Sequence, residues 1–161
     1  MGNRNFKLKY TRLQIILEVI GILILAAMFI VLFLNWGSIP EKIPGHYNAL
    51  GEVDRWGNKL ELLTLPIVSI LLYLLLTITG LFPSVWNVPV EVTDQNREIV
   101  YSNLKTMLIL LKAVVLGIFF WLNYNSMQAR PLPVYFLPVV LAVAFGIPIF
   151  FTIRVSRLVK K

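Results

Sequence analysis

Apolar residues in this chain fall into four long blocks, with the polar residues gathered between them. Leu13 to Leu34 is interrupted only by Gln14 and Glu18, and Leu62 to Val90 contains no charge. A third block runs from about Leu104 to Tyr124 with Lys112 inside it, and a fourth, charge-free block from about Pro133 to Ile153. A helix needs ~20 apolar residues to cross a hydrocarbon core of ~30 Å. The pattern therefore predicts an all-α membrane protein, one domain over 1–161, with four transmembrane helices at about 13–34, 62–82, 104–124 and 133–153 and a structured outer loop at 35–61. Pro83 and Pro89 end the second span near Phe82, while Pro66 falls in its first turn, where proline is tolerated. Pro138 and Pro148 predict kinks or a break in the fourth. The first block ends in Asn35-Trp36-Gly37-Ser38-Ile39-Pro40, without the small-residue cleavage site of a signal peptide, and reads as a retained span.

Composition agrees with lipid as the solvent. Of 161 residues, 58% are hydrophobic and 14% charged, against about 25% charge in an ordinary soluble domain. The absence of Cys and the single His remove thiol nucleophiles, Cys-x-x-Cys redox chemistry and zinc sites built on two histidines. Net charge is +7, and its distribution orients the chain: ten Lys and Arg lie before span one, between spans two and three, and after span four, against four on the other side. Both termini are then cytoplasmic. Trp36, Trp86 and Trp121 fall near predicted span ends, as in an interfacial aromatic belt. The basic tail from Arg154 to Lys161 directly follows a span, which favours anionic lipid headgroups over nucleic acid, and no nucleic-acid partner is expected.

The loop differs from everything around it. Pro40 and Pro44 favour an extended path, Gly45, Gly51 and Gly57 recur every six residues, and 27 residues exceed what a connection needs. His46, Glu52 and Asp54 are a set that suits a divalent cation. His46 is also a candidate for proton transfer, because imidazole is the side chain whose ordinary pKa lies nearest neutral pH. The competing structural reading has His46 and Asp54 hydrogen-bonded to loop backbone or to each other, helped by Asn48 and Lys59, so that the loop caps the helix ends. No metal or other cofactor is expected on balance. Exposed Glu41, Lys42 and Arg55 are candidates for contact with a partner.

Two charges lie well inside the spans. Glu18 is six residues past Arg12 and Lys112 seven past Lys105, so both sit roughly 10 Å in from the cytoplasmic side at ~1.5 Å per residue. They are read as an intramembrane charge pair, with a proton or substrate path as the rival. Between spans two and three, Thr93 is a candidate N-cap with Asp94 in the first turn. An apolar stripe from Ile99 and Val100 through Leu104 to Leu111 starts span three as an interfacial helix. Ser69, Thr77 and Thr79 have no His or carboxylate near them in sequence, so no catalytic residue is assigned and no enzyme is expected.

The pattern Ile39-Pro40-x-x-Ile43-Pro44-x-His46-Tyr47-Asn48-x-x-Gly51-x-x-Asp54-x-Trp56-Gly57-x-Lys59, placed right after a first span, resembles the bacterial membrane family called domain of unknown function 1648. Pro89 to Arg97 with Tyr101 is similar to that family's stretch ahead of its third span. Together the two cover about residues 13–112. The same domain forms the N-terminal part of the immunity protein of the sporulation-delaying protein toxin system. That protein continues with a further hydrophobic half which this chain lacks after span four, so immunity enters as an analogy. The resemblance implies a multi-pass protein of the bacterial cell membrane, with His46, Asn48, Gly51, Asp54, Trp56 and Lys59 as its binding motif. The expected function is non-enzymatic binding, toxin immunity or signalling, with the lipid bilayer and a peptide or protein as partners. The alternative is a small transporter or channel-like subunit using Glu18 and Lys112.

Overall fold

The computed structural model describes residues 8–160. It is mostly helical: α1 (Arg12–Asn35), α2 (Thr64–Gly80), α3 (Arg97–Met127) and α4 (Phe136–Val159), each belonging to a segment long and apolar enough to cross a membrane. Arg4, Lys7 and Lys161, three of the ten cations counted on the cytoplasmic side, lie outside the described residues.

The all-α expectation is corrected in the 35–61 segment, which folds as an antiparallel hairpin, β1 (Lys42–Tyr47) and β2 (Val53–Asn58). Its strands contain Pro44, Gly45 and Gly57, residues depleted from strands, so composition conceals them. Pro44 is tolerated because each strand of a two-stranded sheet has one open edge. Gly45 is the extra residue of a bulge, since Pro44 pairs with Trp56 and His46 with the next residue back, Arg55.

The helix ends have local causes. Thr11 caps α1 in a capping box: the Gln14 N–H donates to Thr11 Oγ1 at 3.2 Å and the Thr11 N–H to Gln14 Oε1 at 3.1 Å. Asn58 and Glu61 form a second box over the 3-10 turn Lys59–Leu63 that leads into α2. α3 starts at Arg97, two turns before the predicted span, and its N-cap position is Asn96. Thr93 therefore does not cap the helix. It exchanges side-chain hydrogen bonds with Asn96 in the turn ahead of it, where Asp94 also lies. At 31 residues α3 is roughly 46 Å long at ~1.5 Å per residue, longer than a hydrocarbon core is thick. α4 passes through Pro148 as one helix, correcting the expected break, and Pro138 sits harmlessly in its first turn. Arg154 and Arg157 belong to α4 and not to a tail.

α3 is the central element and packs on α1, α2 and α4. α2 and α3 run antiparallel, with Gly80 beside Leu108, Thr77 bonded to Lys112, and Leu62 clustered with Met127. Apolar cores close both ends. Leu32, Ile39, Ile43, Leu62 and Met127 meet beneath the hairpin, and Val100, Leu104 and Val155 meet at the end that carries the termini. Most large apolar side chains of the helices point outward, as expected for helices solvated by lipid.

Candidate functional site

The hairpin is held as a rigid cap. At its turn the Asn48 side chain accepts from the N–H groups of Leu50 (2.9 Å) and Glu52 (3.0 Å) and donates to Glu52 Oε2 at 2.8 Å. Gly51 has φ +84, and a Cβ there would collide with the Leu132 carbonyl oxygen. That contact lets the Leu132 N–H donate to the Gly51 carbonyl at 2.8 Å, joining the turn to the segment between α3 and α4. Tyr47 makes a second tie. Its hydroxyl lies 3.2 Å from Ser126 Oγ and donates to the Arg130 carbonyl at 3.1 Å. Burial holds the Tyr47 pKa above its usual value, opposed by the Ser126 hydrogen bond.

Charged residues of the loop are mostly paired with one another. His46 Nδ1 and Asp54 Oδ1 are 2.6 Å apart across the strands, with both side chains exposed. Arg55 bridges from Glu61 Oε2 (2.9 Å) to the Gly45 carbonyl (2.7 Å), and a Cβ at Gly45 would meet the Arg55 guanidinium while one at Gly57 would meet the Glu61 carboxylate. The Arg55 pKa is raised first by its hydrogen bond to Glu61 and then by that residue's charge. Lys59 is nearly buried, 4.9 Å from the centre of the Trp36 ring, with Glu41 at 4.0 Å. Glu52 bonds to Asn48 and does not join His46 and Asp54, so the three candidate cation ligands do not converge. Among the described residues no group of three His, Asp or Glu could hold a metal ion. Trp56 is 55% exposed on the open face of β2.

Beneath the cap lies a cavity of about 560 Å³, within the ~300–1,000 Å³ of small-molecule sites. Its walls come from the hairpin and the adjoining ends of α2, α3 and α4, with Leu65, Leu122, Leu132 and Phe136 among the apolar residues and His46, Arg55, Glu61 and Asn123 among the polar ones. Asn123 is 3% exposed, and its carboxamide makes no hydrogen bond among the described residues.

Glu18 and Lys112 meet inside the bundle. Lys112 Nζ donates to Glu18 Oε1 (2.8 Å), Glu18 Oε2 (2.7 Å) and Thr77 Oγ1 (2.8 Å), while the Tyr73 hydroxyl donates to Glu18 Oε2 at 2.9 Å. The ammonium also lies 4.2 Å from the centre of the Tyr73 ring. All three ammonium protons are used, and α1, α2 and α3 are joined at one point. One turn nearer the terminal end, fully buried Gln14 donates from Nε2 to Thr106 Oγ1 (2.9 Å) and the Ser102 carbonyl (3.1 Å). Lys105, counted in the sequence as a loop cation, is buried in α3 with Nζ 3.4 Å from the centre of the Tyr10 ring.

The sequence reading missed Gln14, Tyr73, Thr77 and Asn123. Tyr73 and Thr77 carry a usable signal, being one helical turn apart on α2. A lone amide in an apolar block, such as Gln14 or Asn123, names no partner.

These features define a class: four apolar helices, three of them packed on the central third, capped at one end by a hairpin over a cavity. A family model described as "Domain of unknown function (DUF1648)" matches residues 23–70, which hold most of α1, the hairpin and the start of α2. The chain is also 24% identical to an uncharacterized protein of Archaeoglobus fulgidus, over 81% of this chain and 80% of that protein. No solved structure matches.

Proposed function

We propose that this is a non-enzymatic multi-pass protein of the cell membrane, with both termini cytoplasmic and the hairpin outside, whose cap recognises a peptide or protein partner. The observation that carries the reading is the double anchoring of the hairpin, through Tyr47 at the end of β1 and Gly51 at its turn. A hairpin tied to helix ends keeps exposed side chains in fixed positions, which lowers the entropy lost on binding. Trp56 on β2 and Leu50 at the turn are large exposed apolar groups, and Glu41 and Lys42 at the open end of the hairpin are exposed charges, a mixture typical of interface anchors and polar rims. Arg55 is committed to Glu61 and Gly45 and serves the shape of the cap. Toxin immunity and signalling are both forms of this recognition.

Lys112 has no donor left for a cargo, so binding is placed ahead of transport. The lipid bilayer surrounds the helices, and anionic headgroups meet the basic residues at the terminal end. The test is survival of cells expressing the chain when challenged with membrane-active peptides. Wild type should protect against at least one peptide, and Trp56→Ala with Glu41→Lys should fold normally and lose protection. Survival equal to that of cells lacking the chain, across the whole panel, would contradict the reading.

A further inference from the structure

The cavity beneath the cap contains an unspent set of hydrogen-bonding groups. Asn123 is 3% exposed, yet its carboxamide makes no hydrogen bond among the described residues. Among those residues the one sealed side-chain polar atom without a partner is Ser69 Oγ. The Asn123 amide, equally without a partner, is therefore not sealed, and the space it borders is the cavity, which it lines with Leu122 and Ser126 of the same helix face. The charged groups of the wall are already spent. Arg55 is bonded to Glu61 and His46 to Asp54, and the Ser126 hydroxyl is held by Tyr47. Ala49, Thr64 and Leu137 line the cavity and are exposed, so it reaches the surface where the hairpin turn and the starts of α2 and α4 border it.

We propose that the cavity takes an extended, uncharged apolar segment of a peptide partner, with the N–H and C=O of one of its residues bonded to the Asn123 carboxamide and its side chains against Leu65, Leu122, Leu132 and Phe136. The proposal rests on the recognition reading above and names the part of the partner that enters the chain. Three features select this occupant. A free carboxamide presents an acceptor beside a donor, and in an extended peptide the N–H and C=O of one residue point to the same side, as they do when paired antiparallel residues exchange both bonds. A purely hydrocarbon occupant would leave the amide unpaired, and a charged one would be desolvated without a counter-ion, since the ions of the wall are already paired. At about 560 Å³ the cavity also has room for far more than the one water, ~30 Å³, that would satisfy the amide.

The chain is purified in detergent and titrated calorimetrically with a trileucine peptide acetylated at one end and amidated at the other, and with three analogues in which an ester oxygen replaces one backbone N–H in turn. Wild type should bind the peptide one to one and melt higher as its concentration rises, as linkage requires. One analogue should bind about tenfold more weakly, the loss expected when the Asn123 oxygen is left without its donor. Asn123→Leu should bind the peptide at least tenfold more weakly and no longer distinguish it from the analogues, a readout that a general loss of stability does not give. Trp56→Ala should bind as wild type does, so the two sites fail separately: a chain that binds the peptide but protects no cell overturns the recognition reading and leaves the cavity's ligand standing. Loss of binding in Trp56→Ala would move the peptide to the hairpin surface and overturn the cavity. So would the absence of one-to-one binding, which means a cavity filled by water alone, or equal affinity of wild type for the peptide and all three analogues. If Asn123→Leu fails to fold, the analogues against wild type still decide.

Discussion

One backbone angle, at Gly51, governs how the hairpin meets the helices. With φ at +84 and the Leu132 carbonyl packed where a side chain would stand, Gly51→Ala is both strained and obstructed. It should cost about 1–3 kcal/mol, read as a lower melting temperature in detergent. His46→Ala should behave differently. Its bond to Asp54 is exposed on both sides, and exposed pairs contribute on the order of 0.2–1 kcal/mol, so the same measurement should barely move. At this scale charged residues were legible, because a lone Glu and a lone Lys in apolar blocks have few ways to be satisfied except by each other. Gln14 and Asn123 were not, since an uncharged amide can bond backbone, side chain or ligand, and sequence spacing does not choose among them.

Between elements, the Glu18–Lys112 contact joins three helices. Removing either charge strands the other in low dielectric, so Glu18→Gln and Lys112→Met should each destabilise by roughly 3–5 kcal/mol, and the double change by less than their sum. Thermal melts of the four-member cycle give the coupling directly, and strict additivity would mean that the contact has no energetic content. Tyr47 tests how the cap is docked. Its folded pKa is raised by burial, so the stability it contributes is complete below the unfolded value of about 10 and is lost as pH rises through the folded value. Melting temperature should therefore fall more steeply above pH 10 in wild type than in Tyr47→Phe. Helix positions were readable because runs of apolar residues dictate them. The hairpin was not, because its strands are built around Pro44, Gly45 and Gly57, and the early start of α3 is hidden by the charged residues of its first turns.

For the molecule as a whole, the recognition reading depends on which side of the membrane carries the cap. The proposed function takes the charge asymmetry to put the cap outside, where Trp56 and Glu41 would be open to a partner. Native chain contains no cysteine, so single cysteines report position without background. Leu50 is 59% exposed at the hairpin turn, and Lys160 is exposed just past α4. In intact cells a membrane-impermeant maleimide should label Leu50→Cys as fully as after permeabilisation and label Lys160→Cys only after it. Labelling of Lys160→Cys in intact cells, with Leu50→Cys protected until permeabilisation, would place the cap on the cytoplasmic side and contradict the account.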